Sequence, residues 1–151
     1  MTLERILSFI RSLGIDVHER AMTRDTLVPG IDIDNGALVF EAALLCKPAD
    51  LLHEAGHIAL TEPAKRAQLG GTIESSAAEE VTAIAWTWAA AMHLGIEPAD
   101  VFHTEVISGN GPTLLENFSS GHYVGVPMLQ RWKLAVESEY PRMRRWMRES
   151  G

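Results

Sequence analysis

Residues 53–57 read His-Glu-Ala-Gly-His, an HExxH pattern whose residue types suit metal chemistry. Side chains four residues apart on a helix lie one turn above each other, so the imidazoles of His53 and His57 can reach one ion at about 2.0–2.1 Å. Glu54 points about 100° around the helix from His53. Its carboxylate can therefore lie beside the ion and accept a proton from a water molecule. The motif predicts His53 and His57 as zinc ligands and Glu54 as a general base.

A catalytic zinc ion usually has a third protein ligand and one open position, and two adjacent glutamates are the candidates. Glu79 and Glu80 open the other strongly apolar helical stretch of the chain. Ser76 and Glu79 fit the S-x-x-E capping box, in which the glutamate turns back toward the backbone of the N-cap residue. Glu80 is then left to face the HExxH helix. The pattern favours Glu80 as the ligand, with Glu79 as the open alternative.

A donor aimed at the oxyanion would assist peptide hydrolysis, and the glycine-flanked segment 119–125 offers Tyr123. A buried structural tyrosine with a satisfied hydroxyl is an equally good interpretation of the same residue. The remaining histidines have no spacing that favours metal binding and are interpreted as surface, capping or loop residues: His18, His93, His103 and His122.

Two helical stretches must position these side chains. Pro48 and Asp50 suit a helix first turn, and the helix that contains the motif should end near Glu62-Pro63. Glycine inside a helix costs roughly 1 kcal/mol relative to alanine, so Gly56 indicates either a close approach of another backbone or simple tolerance. The second stretch, Val81–Leu94, is apolar on every side and is predicted to be a central buried helix.

The outer parts of the chain predict a mostly helical α+β fold. Leu3–Leu13 has helical apolar spacing before Gly14, and residues 26–40 are predicted to form a β-hairpin whose first strand is interrupted by Pro29-Gly30. Four arginines near the C-terminus alternate with apolar residues and predict an amphipathic surface helix: Arg142, Arg144, Arg145 and Arg148. We expect residues 1–151 to form a single zincin-like domain, with a small antiparallel hairpin or sheet packed beside the HExxH helix.

Composition narrows the classes of partner. The 151 residues are 46% apolar and 22% charged, as in soluble globular proteins, and the net charge of −7 disfavours nucleic acid and anionic membrane surfaces as partners. One cysteine, Cys46, cannot form an intramolecular disulfide. The sequence shows neither a secretion signal nor a membrane-spanning stretch, so we expect a cytoplasmic protein.

The order of a hairpin, a helix carrying Leu-Leu-His-Glu-Ala-Gly-His and a helix opening with Glu80 as Glu-Val-Thr-Ala-Ile-Ala resembles the ImmA/IrrE metallopeptidase-like domain, a gluzincin-type group. The resemblance covers about residues 25–95. It implies zinc bound by His53, His57 and Glu80, with Glu54 as general base. Members often cleave transcriptional repressors and carry a helix-turn-helix or sensor domain, neither of which is apparent here. Ile84 stands where the longer thermolysin-type pattern has an aspartate.

Motif and resemblance together predict a zinc metallopeptidase that hydrolyses peptide bonds in a protein or peptide substrate, with a regulatory protein as a further candidate partner. A different class of function stays open, a metal-binding regulatory or interaction module without catalysis. A third interpretation is a structural metal, for which the fourth coordination position would be closed.

Overall fold

The computed structural model describes residues 2–26, 28–70, 76–103 and 111–150. Seven α-helices are found among these residues: α1 (Thr2–Ser12), α2 (Asp50–Leu60), α3 (Pro63–Arg66), α4 (Ala77–Leu94), α5 (Pro98–Val101), α6 (Gly111–Ser119) and α7 (Val126–Arg131). Three strands accompany them: β1 (Val17–Glu19), β2 (Ile31–Asp34) and β3 (Ala37–Phe40). A short 3₁₀ helix spans Ala42–Leu44. The predicted α+β class, mostly helical with a small sheet, is confirmed.

The centre of the fold is the packing of α2 against α4. As predicted, α4 is buried along its middle, from Thr82 to Ala91, because its surface is apolar on every side. The two helices come close at Gly56, where an added Cβ would lie 3.0 Å from the Trp86 ring. The glycine therefore makes room for an indole, while the expected backbone neighbour, the carbonyl oxygen of Ala83, would lie 3.6 Å from that Cβ, an ordinary contact distance.

The helix α1 covers one side of this centre. The predicted apolar stripe is confirmed, since Ile6, Phe9 and Ile10 are buried, and the chain turns at Gly14 directly after the helix. Contacts of α1 with α2 and β1 join the N-terminal part of the chain to the HExxH helix and to the sheet.

The sheet has the strand order β1-β3-β2. Its antiparallel half is the predicted hairpin, in which Ile31 pairs with Phe40 and both turn residues, Asn35 (φ 50°) and Gly36 (φ 81°), have the positive φ of a tight hairpin turn. The first strand begins after Pro29-Gly30, so those residues precede the strand and do not interrupt it. Leu27, part of the predicted hairpin, lies outside the described residues.

The strand β1 was not predicted. It is only three residues long, and it pairs in parallel with β3, which makes the sheet mixed. Contacts between β2 and α2 place the sheet beside the HExxH helix, as expected. A helix both long and apolar enough to cross a membrane is not found among the described residues.

The prediction of a C-terminal amphipathic helix is wrong. Residues 141–150 contain no helix, because their backbone groups bond to distant partners. The amides of Arg144 and Arg145 both donate to the carbonyl of Leu134, and the carbonyl of Trp146 accepts a hydrogen bond from the Trp86 indole at 2.8 Å. The amide of Arg148 donates to the carbonyl of Ala59 at the end of α2 at 2.9 Å. This C-terminal segment therefore packs against the ends and sides of the central helices.

Candidate metal centre

Three metal-ligand side chains meet where the first turn of α4 faces α2. The Nε2 atoms of His53 and His57 are 3.3 Å apart. The Glu80 carboxylate places one oxygen 2.8 Å from Nε2 of His53 and the other 3.2 Å from Nε2 of His57. The structure therefore brings together the three residues that the sequence analysis named as ligands.

The separation of the two histidine nitrogens fits a tetrahedral metal ion. Two nitrogens bound at about 2.0–2.1 Å to a tetrahedral zinc ion are about 3.3 Å apart, which is the separation of the two Nε2 atoms. Two imidazoles and a carboxylate are also a donor set that zinc accepts. Within the described part of the chain, His53, His57 and Glu80 form a group able to hold a metal ion.

Solvent reaches this centre from one side. The side chains of His53 and His57 expose only 8% and 10% of their surface, whereas that of Glu80 exposes 42%. Burying two imidazoles costs free energy unless polar partners satisfy them, and the carboxylate supplies part of that satisfaction. The histidines thus form the floor of the centre, and the Glu80 side opens to water.

The predicted capping box explains which glutamate faces α2. The amide of Ser76 donates to the Glu79 carboxylate and the amide of Glu79 donates to the Ser76 hydroxyl, both at 3.1 Å. Glu79 is thereby turned back toward the start of α4. Glu80, one residue on, is the glutamate whose carboxylate contacts the two histidines.

Charges within the centre reinforce one another. Hydrogen bonds from His53 and His57 hold the pKa of Glu80 far below its ordinary value, although partial burial acts in the opposite direction. Burial alone would lower the pKa of His57, but the hydrogen bond to Glu80 and the charges of Glu54, Glu80 and Glu79 outweigh it and raise that pKa. The centre therefore has the electrostatic character of a cation site.

Glu54 lies half-buried on α2 next to His53. Its negative charge acts on His57, which places the carboxylate near the centre without making it part of the group of three ligands. That position is compatible with the predicted general base, and the role itself stays a prediction.

Tyr123 is 37% exposed, so the alternative of a buried structural tyrosine is not what the structure contains. Its ring packs edge-on against the ring of Tyr140, with the centroids 4.6 Å apart, and its centroid lies 5.6 Å from that of the Phe118 ring. Two residues later, Gly125 (φ 80°) packs so closely on α4 that an added Cβ would lie 2.2 Å from the carbonyl oxygen of Val81. The segment that carries Tyr123 therefore touches α4 directly after Glu80, and the oxyanion role of Tyr123 stays a prediction.

A hydrogen-bonded pair at the start of α2 was not predicted from the sequence. His103, interpreted as an ordinary loop histidine, donates from Nε2 to the Asp50 carboxylate at 2.6 Å. Burial raises the pKa of Asp50, and the hydrogen bond from His103, the amide of Lys47 and the charge of His53 oppose that rise. The spacing of Asp50 three residues before His53 was the available signal for one partner; nothing in the spacing of His103 indicates the other.

The contacts of the other three histidines are with groups outside the metal centre. The ring of His93, in the last turn of α4, lies against Phe9 and Trp146. His122 is within hydrogen-bond distance of the Ser120 hydroxyl, and His18 is an exposed residue of β1.

No family model, no curated protein and no solved structure matches this chain. The resemblance to the ImmA/IrrE group therefore depends on the motif residues alone, and what it implies for activity is a matter for proposal.

Proposed function

We propose that the protein is a zinc-dependent metallopeptidase that hydrolyses peptide bonds in a protein or peptide substrate in the cytoplasm. The observation that carries the proposal is the meeting of His53, His57 and Glu80, whose candidate ligand atoms all lie within 4.8 Å of one another, with the adjacent residue Glu54 in the HExxH position of a general base.

The exposed side of the centre supports an open site rather than a structural metal. Glu80 is partly exposed, while the core formed by α1, α2, α4 and the sheet is packed from apolar side chains of its own. A structural zinc usually has four protein ligands, whereas three such side chains are grouped in the described residues. In the proposed enzyme the fourth coordination position holds water or substrate.

The chain's own residues would divide the chemistry among them. His53, His57 and Glu80 would hold the ion, which when bound polarises the scissile carbonyl and lowers the pKa of water. Glu54 would take the proton of the attacking water and return it to the leaving amine. Tyr123, on the segment that contacts the start of α4, would donate a hydrogen bond from its hydroxyl to the developing oxyanion.

The proposal is tested by comparing Glu54→Gln with Glu80→Gln. Purified proteins are assayed for bound zinc and for cleavage of a fluorescence-quenched peptide library. Glu54→Gln should keep its zinc and lose about 10²–10⁴-fold in rate, because the general base is gone. Glu80→Gln should lose most of its zinc.

Glu79→Gln is the matched control, because glutamine can also complete the capping box. It should retain both zinc and activity. Full hydrolysis by Glu54→Gln would overturn the enzyme proposal. Zinc binding without hydrolysis in the wild type would instead favour the regulatory or interaction module. Loss of zinc from Glu79→Gln but not from Glu80→Gln would reverse the ligand assignment, and unfolding on chelation would indicate a structural metal.

A further inference from the structure

The strongest feature outside the three ligands is the buried pair of Asp50 and His103. The side chain of Asp50 is 1% exposed and that of His103 is 15% exposed, and 2.6 Å separates Oδ1 of the first from Nε2 of the second. A carboxylate buried to this degree is costly unless it is paired and hydrogen-bonded. One partner, His103, meets much of that requirement.

Neighbouring backbone and aromatic groups hold His103 in place. The ring of Phe102 is buried and stacks on Trp88 with centroids 5.6 Å apart and planes 15° apart. The backbone of Gly111 also packs so closely on that of His103 that an added Cβ would lie 2.8 Å from the His103 carbonyl carbon. His103 is therefore fixed, and it fixes the carboxylate in turn.

The position of Asp50 on α2 relates the pair to the metal centre. Residues three apart share one face of a helix, so Asp50 lies one turn before His53 on that face. The carboxylate also retains capacity to accept hydrogen bonds. Its Oδ1 is engaged by His103, whereas within the described part of the chain Oδ2 accepts one long bond, of 3.4 Å, from the amide of Lys47.

His53 has a buried donor that needs an acceptor. Its Nε2 faces Glu80 and His57, while its Nδ1 is buried and has no hydrogen-bond partner among the described residues. An imidazole that binds a metal through Nε2 carries its proton on Nδ1, and ligating histidines nearly always donate that proton to a carboxylate, a carbonyl or a water.

We propose that Asp50, held by His103, is the positioning carboxylate of the metal centre and accepts the Nδ1 proton of His53 when zinc is bound. The inference rests on the proposed function and deepens it. Asp50 and His103 do not touch the substrate; they orient one ligand and make it a better electron donor, which raises zinc affinity.

The test measures zinc affinity by competition with a chromophoric chelator, in parallel with thermal unfolding of the metal-free protein. Asp50→Asn should lower the affinity about 10–100-fold, because an amide is a weaker acceptor without charge. His103→Gln can still donate to Asp50 and should retain most of the affinity. His103→Ala cannot, and should approach the loss seen for Asp50→Asn.

Asp100→Asn is the matched control, since it removes the same charge from a partly exposed carboxylate that pairs with Lys47 near the start of α2. It should bind zinc as the wild type does. If Asp50→Asn and His103→Ala unfold at lower temperature but keep wild-type zinc affinity, the pair is only structural and the inference is overturned. If Asp50→Asn fails to fold, the two His103 variants carry the test, and equal affinity in both would overturn it.

Failure of the proposed function gives a different result. If the wild-type protein does not bind zinc, or if His53→Ala binds it equally well, the metal centre is ruled out, and so is any role of Asp50 there. If the wild type binds zinc, His53→Ala loses it and Asp50→Asn keeps wild-type affinity, only the inference about Asp50 is ruled out.

Discussion

The two ends of α2 are stabilised by charges of opposite sign that have different surroundings. At the first turn, the Asp50 carboxylate is buried and bonded to His103, one turn from a candidate ligand. At the last turn, the carbonyls of Ile58 and Ala59 accept hydrogen bonds from Arg66 at 3.2 and 3.1 Å. Both arrangements match the helix dipole, which favours negative charge at the N-terminus and positive charge at the C-terminus.

The difference between the two ends lies in the other groups that their charged residues contact. A second arginine at the C-terminal end, Arg148, donates to the carbonyl of Leu60 and lies 3.6 Å from the Glu62 carboxylate. Its guanidinium carbon lies 4.1 Å from the centroid of the Trp132 ring. These are contacts with backbone, surface carboxylate and aromatic ring, none of which belongs to the metal centre. We therefore expect the C-terminal end of α2 to affect stability alone, and the N-terminal end to affect both stability and metal affinity.

The largest effect should come from Trp86 of α4, which packs on the middle of α2 at Gly56, so that its loss disturbs both ends of α2 together. Trp86→Ala removes a fully buried ring that packs on Gly56 and donates to the carbonyl of Trp146. The free energy of unfolding should fall by about 3–5 kcal/mol, as for other buried aromatic residues. Urea unfolding measures this loss, and chelator competition should show weaker zinc binding, because the spacing of α2 and α4 sets the distances between the ligands.

Trp86→Phe keeps a ring and removes only part of the side chain and its donor, so both losses should be smaller. Zinc affinity that stays at the wild-type level in a folded Trp86→Ala protein would show that packing at Gly56 does not position the ligands. The two ends of α2 would then differ in their effects on zinc affinity for reasons unrelated to the packing at Gly56.

A smaller effect is expected for Arg66→Ala, which affects the C-terminal end alone. The change removes donors to the carbonyls of Ile58 and Ala59 and a contact with the carbonyl of Arg148. The free energy of unfolding measured in urea should fall by about 1–3 kcal/mol. Zinc affinity should stay within about threefold of the wild type, a difference of less than 1 kcal/mol at 1.4 kcal/mol per factor of ten.

The double variant Asp50→Asn/Arg66→Ala sharpens this comparison. The 11 residues of α2 extend about 16 Å, so the two ends share no side-chain contact and their effects on stability should add within about 0.5 kcal/mol. A coupling well above that value, or a large drop in zinc affinity for Arg66→Ala alone, would show that the two ends do not act separately.

The smallest effect is expected for Glu139→Gln, which tests charge in the C-terminal segment away from the helix end. A hydrogen bond from Arg144 lowers the pKa of Glu139, so its contribution to stability is present above its unfolded pKa of about 4.5 and is lost as the pH falls through the lowered folded value. Because the pair is exposed, the change in urea midpoint at neutral pH should be close to measurement error.

At pH values below the lowered pKa, the wild type and Glu139→Gln should unfold at the same urea concentration, since the wild-type carboxyl is then also neutral. A difference at neutral pH as large as that of Arg66→Ala would mean that exposed charge, and not the contact with the end of α2, gives the C-terminal segment its importance.

The sequence alone was sufficient where the geometry of the structure depends on short spacings. The HExxH motif, the capping box at Ser76 and the asparagine-glycine turn each fix geometry within a few residues, and the structure contains all three arrangements. The choice of Glu80 followed from the same local logic, because a capped Glu79 leaves its neighbour facing α2.

Features that depend on distant partners could not be predicted in this way. The strand β1 gains its hydrogen bonds from β3, about twenty residues later, and His103 meets Asp50 across 53 residues. The C-terminal arginines have helical spacing, but their amides bond to Leu134 and to the end of α2. In each case a tertiary partner outweighs local propensity, and a single sequence carries no record of that partner.

The bond between Arg148 and Leu60 has a consequence for how the protein is made. The two residues are 88 positions apart, so at about 5–20 residues per second the ribosome needs about 4 to 18 s to add the second after the first. Once Glu80 has been added, and until Arg148 follows, the nascent chain contains all three candidate metal ligands, while the Leu60 carbonyl at the end of α2 still lacks its Arg148 partner. A chain that ended before Arg148 would thus keep the complete set of candidate ligands but lose the contacts of Arg148 with the last carbonyls of α2.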